Sequence, residues 1–196
     1  MLRNPIHLRL EKLASWQHQT FMACLCERMY PNYQAFCQET QFGDAQLYRR
    51  ILDLVWETLT VKDARVNFDS QLEKLEAAIP SAEDYDLYGV YPAIDACVAL
   101  SDLIHALLSG ETLEQAIEVS ETSITTVAML EMTQAGREMT DEELKENPAV
   151  ADEWDIQWEI FRLLAACEER DIELIKGLRA DLREAAISNI GITFNQ

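Results

Sequence analysis

Apolar positions along this chain recur at three- and four-residue intervals almost from end to end, the period of one buried helix face. Leu10, Leu13, Ala14, Phe21, Leu25 and Met29 carry it first. They predict a helical region from about Ile6 to Met29, with a break near Ser15. Tyr30-Pro31-Asn32-Tyr33 is expected to stop it, because an interior proline removes a backbone donor and crowds the turn before it. Asn32 would then cap a short helix through Gln38. Gly43-Asp44 opens another, with Leu47, Ile51, Leu54, Val55 and Leu59 on one face. Asn67 or Asp69 begins a short helix to about Ile79, which Pro80 ends. No alternating strand pattern and no Asn-Gly or Asp-Gly hairpin appears.

Residues 80–92 hold Pro80, Gly89 and Pro92 with Tyr85, Tyr88 and Tyr91 between them, and read as the longest irregular stretch. Val90 to Leu108 follows with the widest apolar arc: Ile94, Cys97, Val98, Ile104, His105 and Leu108, widened by Leu100 and Leu107. This segment is expected to be the most buried helix of the fold. Ala96, Ala99 and Ala106 on its other side predict a second helix packed there.

Thr112 and Gln115 have capping-box spacing at the start of the next helix, which reaches Ala135-Gly136. The Ser- and Thr-rich centre of that helix, Ser120 to Thr126, would allow close helix approach. Thr140 to Glu143 is a second capping box, and Asn147-Pro148 is an N-cap with proline at the first helical position. The pattern then runs to about Ile187, as one long helix or two colinear ones. The whole predicts a single all-α domain, residues 1–196, a bundle of seven or eight helices with a buried central helix and a long C-terminal helix.

Composition changes this picture through charge. Of 196 residues, 35 are acidic and 16 are Lys or Arg, a formal net charge of −19. Residues 1–62 carry seven basic and six acidic groups, so nearly all the excess lies in residues 63–196. Such a chain is repelled by bare nucleic acid and anionic membrane, so direct nucleic-acid binding and membrane association are not expected. The first residues lack the apolar core of a leader, and Asp95, Asp102 and His105 interrupt the most apolar segment. A soluble, cytoplasmic protein is expected. Cys24, Cys26, Cys37, Cys97 and Cys167 include no Cys-x-x-Cys pair and read as reduced, packed thiols.

Candidate chemistry is sparse. Gly-x-Ser-x-Gly, phosphate-binding glycine loops and His-Glu-x-x-His are all absent. A di-iron bundle needs an acid three residues before a histidine on two helices, plus further carboxylates. Only Asp102 and His105 have that spacing, and His105 reads first as a packed or hydrogen-bonded structural residue. Trp154 and Trp158 are four apart beside Asp155 and Glu159, an aromatic pair with an acidic rim that suits either core packing or a partner surface. No catalytic residue and no cofactor is assigned.

Longer stretches carry a resemblance. Phe21-Met22-Ala23-Cys24-Leu25-Cys26-Glu27-Arg28-Met29-Tyr30-Pro31-Asn32-Tyr33 and Tyr88-Gly89-Val90-Tyr91-Pro92-Ala93-Ile94-Asp95-Ala96-Cys97-Val98-Ala99-Leu100 do so most clearly, with Asn4 to Leu10 and Asn147 to Val150. On these, nearly the whole chain resembles the bacterial YjaG-like family. The resemblance implies an all-helical fold from gamma-proteobacteria and carries no catalytic residue with it. Two functional expectations follow. The first is a non-catalytic interaction protein whose acidic surface meets a basic protein partner, with self-association through the last helix open. The alternative is a metal-binding protein or metal-dependent enzyme using Asp102, His105 and neighbouring carboxylates.

Overall fold

The computed structural model describes residues 4–194. They form nine α-helices: α1 Ile6–Leu10, α2 Ser15–Thr40, α3 Ala45–Thr60, α4 Phe68–Glu76, α5 Val90–Ser109, α6 Leu113–Ala135, α7 Asp141–Glu146, α8 Pro148–Ala165 and α9 Ile172–Ala185. One 3-10 turn, Ala82–Asp84, lies before α5. A single contiguous core runs from Ile6 to Leu178.

Several ends form for the reasons the sequence supplies. Asp44, Asn67 and Asp171 each accept a backbone N–H of the first turn of α3, α4 and α9. Asn147 accepts from Ala149 and Val150 ahead of Pro148. Thr140 and Glu143 exchange side-chain and backbone bonds as a capping box at α7. Thr112 departs from expectation, because its hydroxyl does not cap α6. It pairs instead with His18 Nδ1 at 2.8 Å, while His18 Nε2 lies 2.7 Å from the Leu10 carbonyl. A carbonyl only accepts, so Nε2 carries the proton and Nδ1 accepts from the threonine. Burial lowers the His18 pKa, which keeps the ring neutral in this role.

Helix α2 corrects two expectations. It passes through Pro31 without stopping, over 26 residues. Proline leaves the Glu27 carbonyl without its helical donor, yet α3, α5, α6, α8 and α9 all pack on α2 and hold it. The backbone N–H of Asn189, from the C-terminal tail, donates to the neighbouring Arg28 carbonyl at 3.3 Å. Helix α2 is also the most buried, with 16 of 26 residues inside against 10 of 20 for α5. Hydropathy understated it because much of its buried surface is polar: His18, Glu27, Arg28 and Asn32.

Helix α5 is long and apolar enough by length and composition to cross a membrane; half of that window is buried in the fold. Its buried side is turned toward the alanines. Ala93, Ala96, Ala99 and Ala106 are fully buried with Cys97, Leu100, Leu103 and Ile104, whereas Val98, His105 and Leu108 are exposed. The second packed helix expected on the alanine side is therefore present. His105 is exposed, so of the packed or hydrogen-bonded role expected of it the packed one does not hold.

Where one long C-terminal helix or two colinear ones are expected, two separate helices are present. Residues between α8 and α9 leave helical geometry, and Asp171 caps a separate α9. Both helices pack on α2, but their other neighbours differ, α6 and α7 for α8 and α3 for α9. Gln17 of α2 donates to the Leu164 and Cys167 carbonyls, satisfying the freed end of α8.

Candidate functional site

Polar side chains gather in three places, and each draws on helices distant in sequence. The first lies between α2, α6 and α8. Arg28 Nη2 donates to Glu153 Oε2, and the Ser123 hydroxyl donates to Glu153 Oε1 at 2.6 Å. Burial pushes the Glu153 carboxyl up, opposed by the Arg28 charge and these bonds. The Ser120 hydroxyl and Gln157 pair alongside, with His7 Nε2 3.1 Å from the same hydroxyl. Burial lowers the His7 pKa. The Ser/Thr centre of α6 thus supplies hydroxyl donors to buried acceptors. Asn189 of the tail closes this layer, donating to the Ser123 carbonyl at 3.0 Å and accepting from Asn32 at 2.9 Å.

The second place is centred on Glu27. Its carboxylate accepts from Arg49 Nη1 at 2.7 and 2.8 Å, from the Trp56 indole N–H at 2.8 Å, and from Arg183 Nε and Nη2 at 3.1 and 2.8 Å. Arg183 also reaches Asp53, as does Arg179 at 3.0 Å. The Arg49 guanidinium stacks over the Tyr30 ring at 4.1 Å. Above this cluster a cavity of about 280 Å³ opens between α2, α3, α9 and the tail. Sequence reading did not single out Glu27. The available signal was an adjacent Glu27 and Arg28 inside the apolar run Phe21–Met29, since charges in a buried helix demand partners.

The third place is an acidic groove along α5 and α6. Asp95, Asp102, Glu118 and Glu121 line one stretch with Val98, and Glu111 and Glu114 continue it beside Leu113 and Ile117. No Lys or Arg lines either stretch. Asp102 is half-buried here, and its carboxyl is pushed up to about 6 by burial and by Glu118, with His105 opposing. Burial likewise raises Asp95, against a 2.8 Å bond from the Thr126 hydroxyl. A folded-state pKa above the unfolded value makes an ionised group destabilising. That penalty is complete above about pH 6 and is relieved as pH falls toward the ordinary carboxylate range. Asp102→Asn is therefore expected to be more stable than the parent above about pH 7, by about 1 kcal/mol after solvent screening. The difference should vanish below about pH 4, as read from melting curves across that range.

The sequence-level candidates fall as follows. Asp102 and His105 sit one turn apart on α5, Asp102 in the groove and His105 on the exposed edge. Among the described residues, no three His, Cys, Asp or Glu side chains converge to hold a metal ion. Trp154 is buried edge-on to His7, with ring centroids 5.6 Å apart. Trp158 is half-buried, edge-on to Phe161, while Asp155 and Glu159 are exposed. The two tryptophans are thus largely packed. All five cysteines are free. Burial pushes the thiols of Cys24, Cys26 and Cys97 up, which removes them from thiolate chemistry.

A family model described as "Protein of unknown function (DUF416)" matches residues 5–193. The chain belongs to the DUF416 family. Similar chains include the protein named "Uncharacterized protein YjaG" of Escherichia coli K12, 84% identical over the full length of both. A Haemophilus influenzae relative is 54% identical over the full length of both. Among solved structures, a DUF416 family protein from Shewanella baltica is similar at a TM-score of 0.92 and 34% identity. That match covers 98% of this chain and 100% of the other. These relatives are bacterial, and the fold of this chain's described residues is helical, as the resemblance implied.

Proposed function

We propose that this DUF416 protein is a cytosolic, non-catalytic interaction protein whose acidic α5–α6 groove receives a basic segment of a protein partner. The observation that carries this reading is the groove itself: Asp95, Asp102, Glu118 and Glu121 share a wall that no Lys or Arg lines, around the exposed Val98, with His7 Nδ1 3.7 Å from Glu121. Like charges crowded at a partly desolvated site oppose folding. Lysine or arginine side chains of a partner would relieve that repulsion on docking. Val98, Leu113 and Ile117 would meet the apolar stems of those side chains. Steering by the net negative charge would speed encounter and make it sensitive to salt.

The test is capture of binding proteins on the immobilised chain at low and moderate salt, beside a variant carrying Asp95→Asn, Asp102→Asn and Glu118→Gln. The reading expects a basic protein that is retained at low salt, released at moderate salt and lost on the variant. Recovery of no partner, or of one indifferent to salt and to the three substitutions, would remove it. The metal-binding alternative gains no support from the geometry, and elemental analysis of chelator-free protein tests it directly.

A further inference from the structure

We infer that the cavity above Glu27 is a binding site for a small organic carboxylate with an apolar body. The argument begins with what the cavity has left to offer. Glu27 Oε1 accepts from Arg49, Trp56 and Arg183, and Oε2 from Arg49. Oε1 is saturated, and the Glu27 side chain is only 2% exposed, so its carboxylate is spent on these internal donors and is not presented to a cationic ligand. The guanidinium groups are not full. Arg183 commits Nε and Nη2 to Glu27 and Asp53, and its Nη1 bonds nothing among the described residues. The Arg49 and Arg183 side chains are 25% and 31% exposed, so both reach the cavity they line. A positively charged face with spare donors, fixed in place by a buried anion, recognises an anion.

Apart from the Gln34 amide, the remaining walls are mostly apolar, chiefly the Tyr30 ring, Leu182, Ile187 and Phe194, brought from α2, α9 and the tail. The Leu182, Ile187 and Phe194 side chains and the Tyr30 ring face have no donor for an oxyanion and suit a hydrocarbon or aromatic ring. The volume, about 280 Å³, sits at the low end for ligand pockets, which limits the body to about one ring. This site lies apart from the acidic groove and is independent of the interaction reading. It is also where a chain of net charge −19 gathers Arg49, Arg179 and Arg183.

Benzoate is the probe. Its titration into the full-length protein is followed by ¹⁵N NMR of the arginine Nε–Hε and backbone signals. Benzyl alcohol, with the same ring and no charge, and inorganic phosphate, with charge and no ring, are parallel arms. Saturable shifts at Arg49, Arg183, Tyr30 and Phe194 are expected with benzoate. Affinity should be weaker by about tenfold or more in each control arm. Ile187→Trp, at a partly exposed wall position, fills the cavity while leaving the Glu27 cluster intact. It should abolish the benzoate response and keep the parent's melting behaviour. Unsaturable shifts, an equal response to benzyl alcohol or to phosphate, or undiminished binding by a folded Ile187→Trp protein would each overturn the assignment.

Discussion

Replacing Arg28 by methionine is expected to destabilise the fold by about 3–5 kcal/mol, the range for removing one partner of a buried ion pair. The side chains of Arg28 and Glu153 are 10% and 1% exposed, so neither charge can turn to water. Without the guanidinium, Glu153 retains only the Ser123 hydroxyl, and its carboxyl must stay ionised unpaired or take up a proton. Burial already favours protonation in the parent. The variant should therefore regain stability as pH falls from neutrality toward 4, because its folded state takes up a proton that the unfolded chain does not yet hold. A stability of about 5–15 kcal/mol for the whole domain makes the loss large in urea unfolding. Arg28→Met combined with Glu153→Leu should recover much of it, since an apolar pair of similar volume replaces a pair whose desolvation was costly. The guanidinium Nε lacks a hydrogen-bond partner in the parent, a further cost that this double variant removes. A single variant within about 1 kcal/mol of the parent would show that the pair is hydrated.

The same interior shows what was legible beforehand. Helix starts at Asp44, Asn67, Thr140 and Asn147 were readable because capping is local: donor and acceptor lie within three residues. Thr112 had equally good local chemistry and went elsewhere, because His18, 94 residues away, competes for its hydroxyl. Pro31 departs from expectation for a related reason. Its intrinsic effect is to break a helix, and five packed helices outweigh it. Glu27 draws partners from 22, 29 and 156 residues away, a convergence that no local spacing encodes. The acidic groove was visible only as an excess of charge in residues 63–196. Which of those acids share a wall depends on how α5 meets α6. The break between α8 and α9 did leave a local mark in Glu168-Glu169-Arg170-Asp171, where the apolar stripe lapses and Asp171 supplies a cap.

Helix α5 offers the sharpest test of how side chains are sorted between core and surface, because two members of its apolar arc diverge. Ile104 is fully buried, whereas Val98 is 38% exposed. From hydropathy alone the two are equivalent, since large aliphatic groups pull the apparent apolar face toward themselves and small alanines pull hardly at all. The packing follows the alanines instead. With no bulk at Ala93, Ala96, Ala99 and Ala106, neighbouring helices can approach the α5 backbone closely, and the larger Leu100, Leu103 and Ile104 fill the space beside them. Ile104→Ala therefore leaves a cavity in a region already tightly drawn together, with little room to collapse, and should destabilise by about 2–5 kcal/mol. Val98→Ala removes methyl groups already in contact with water and should stay within about 0.5 kcal/mol of the parent. Side-by-side unfolding curves of the two variants check both values. Equal losses at 98 and 104 would mean that α5 turns a different face to the core, and would remove Val98 from the acidic groove as well.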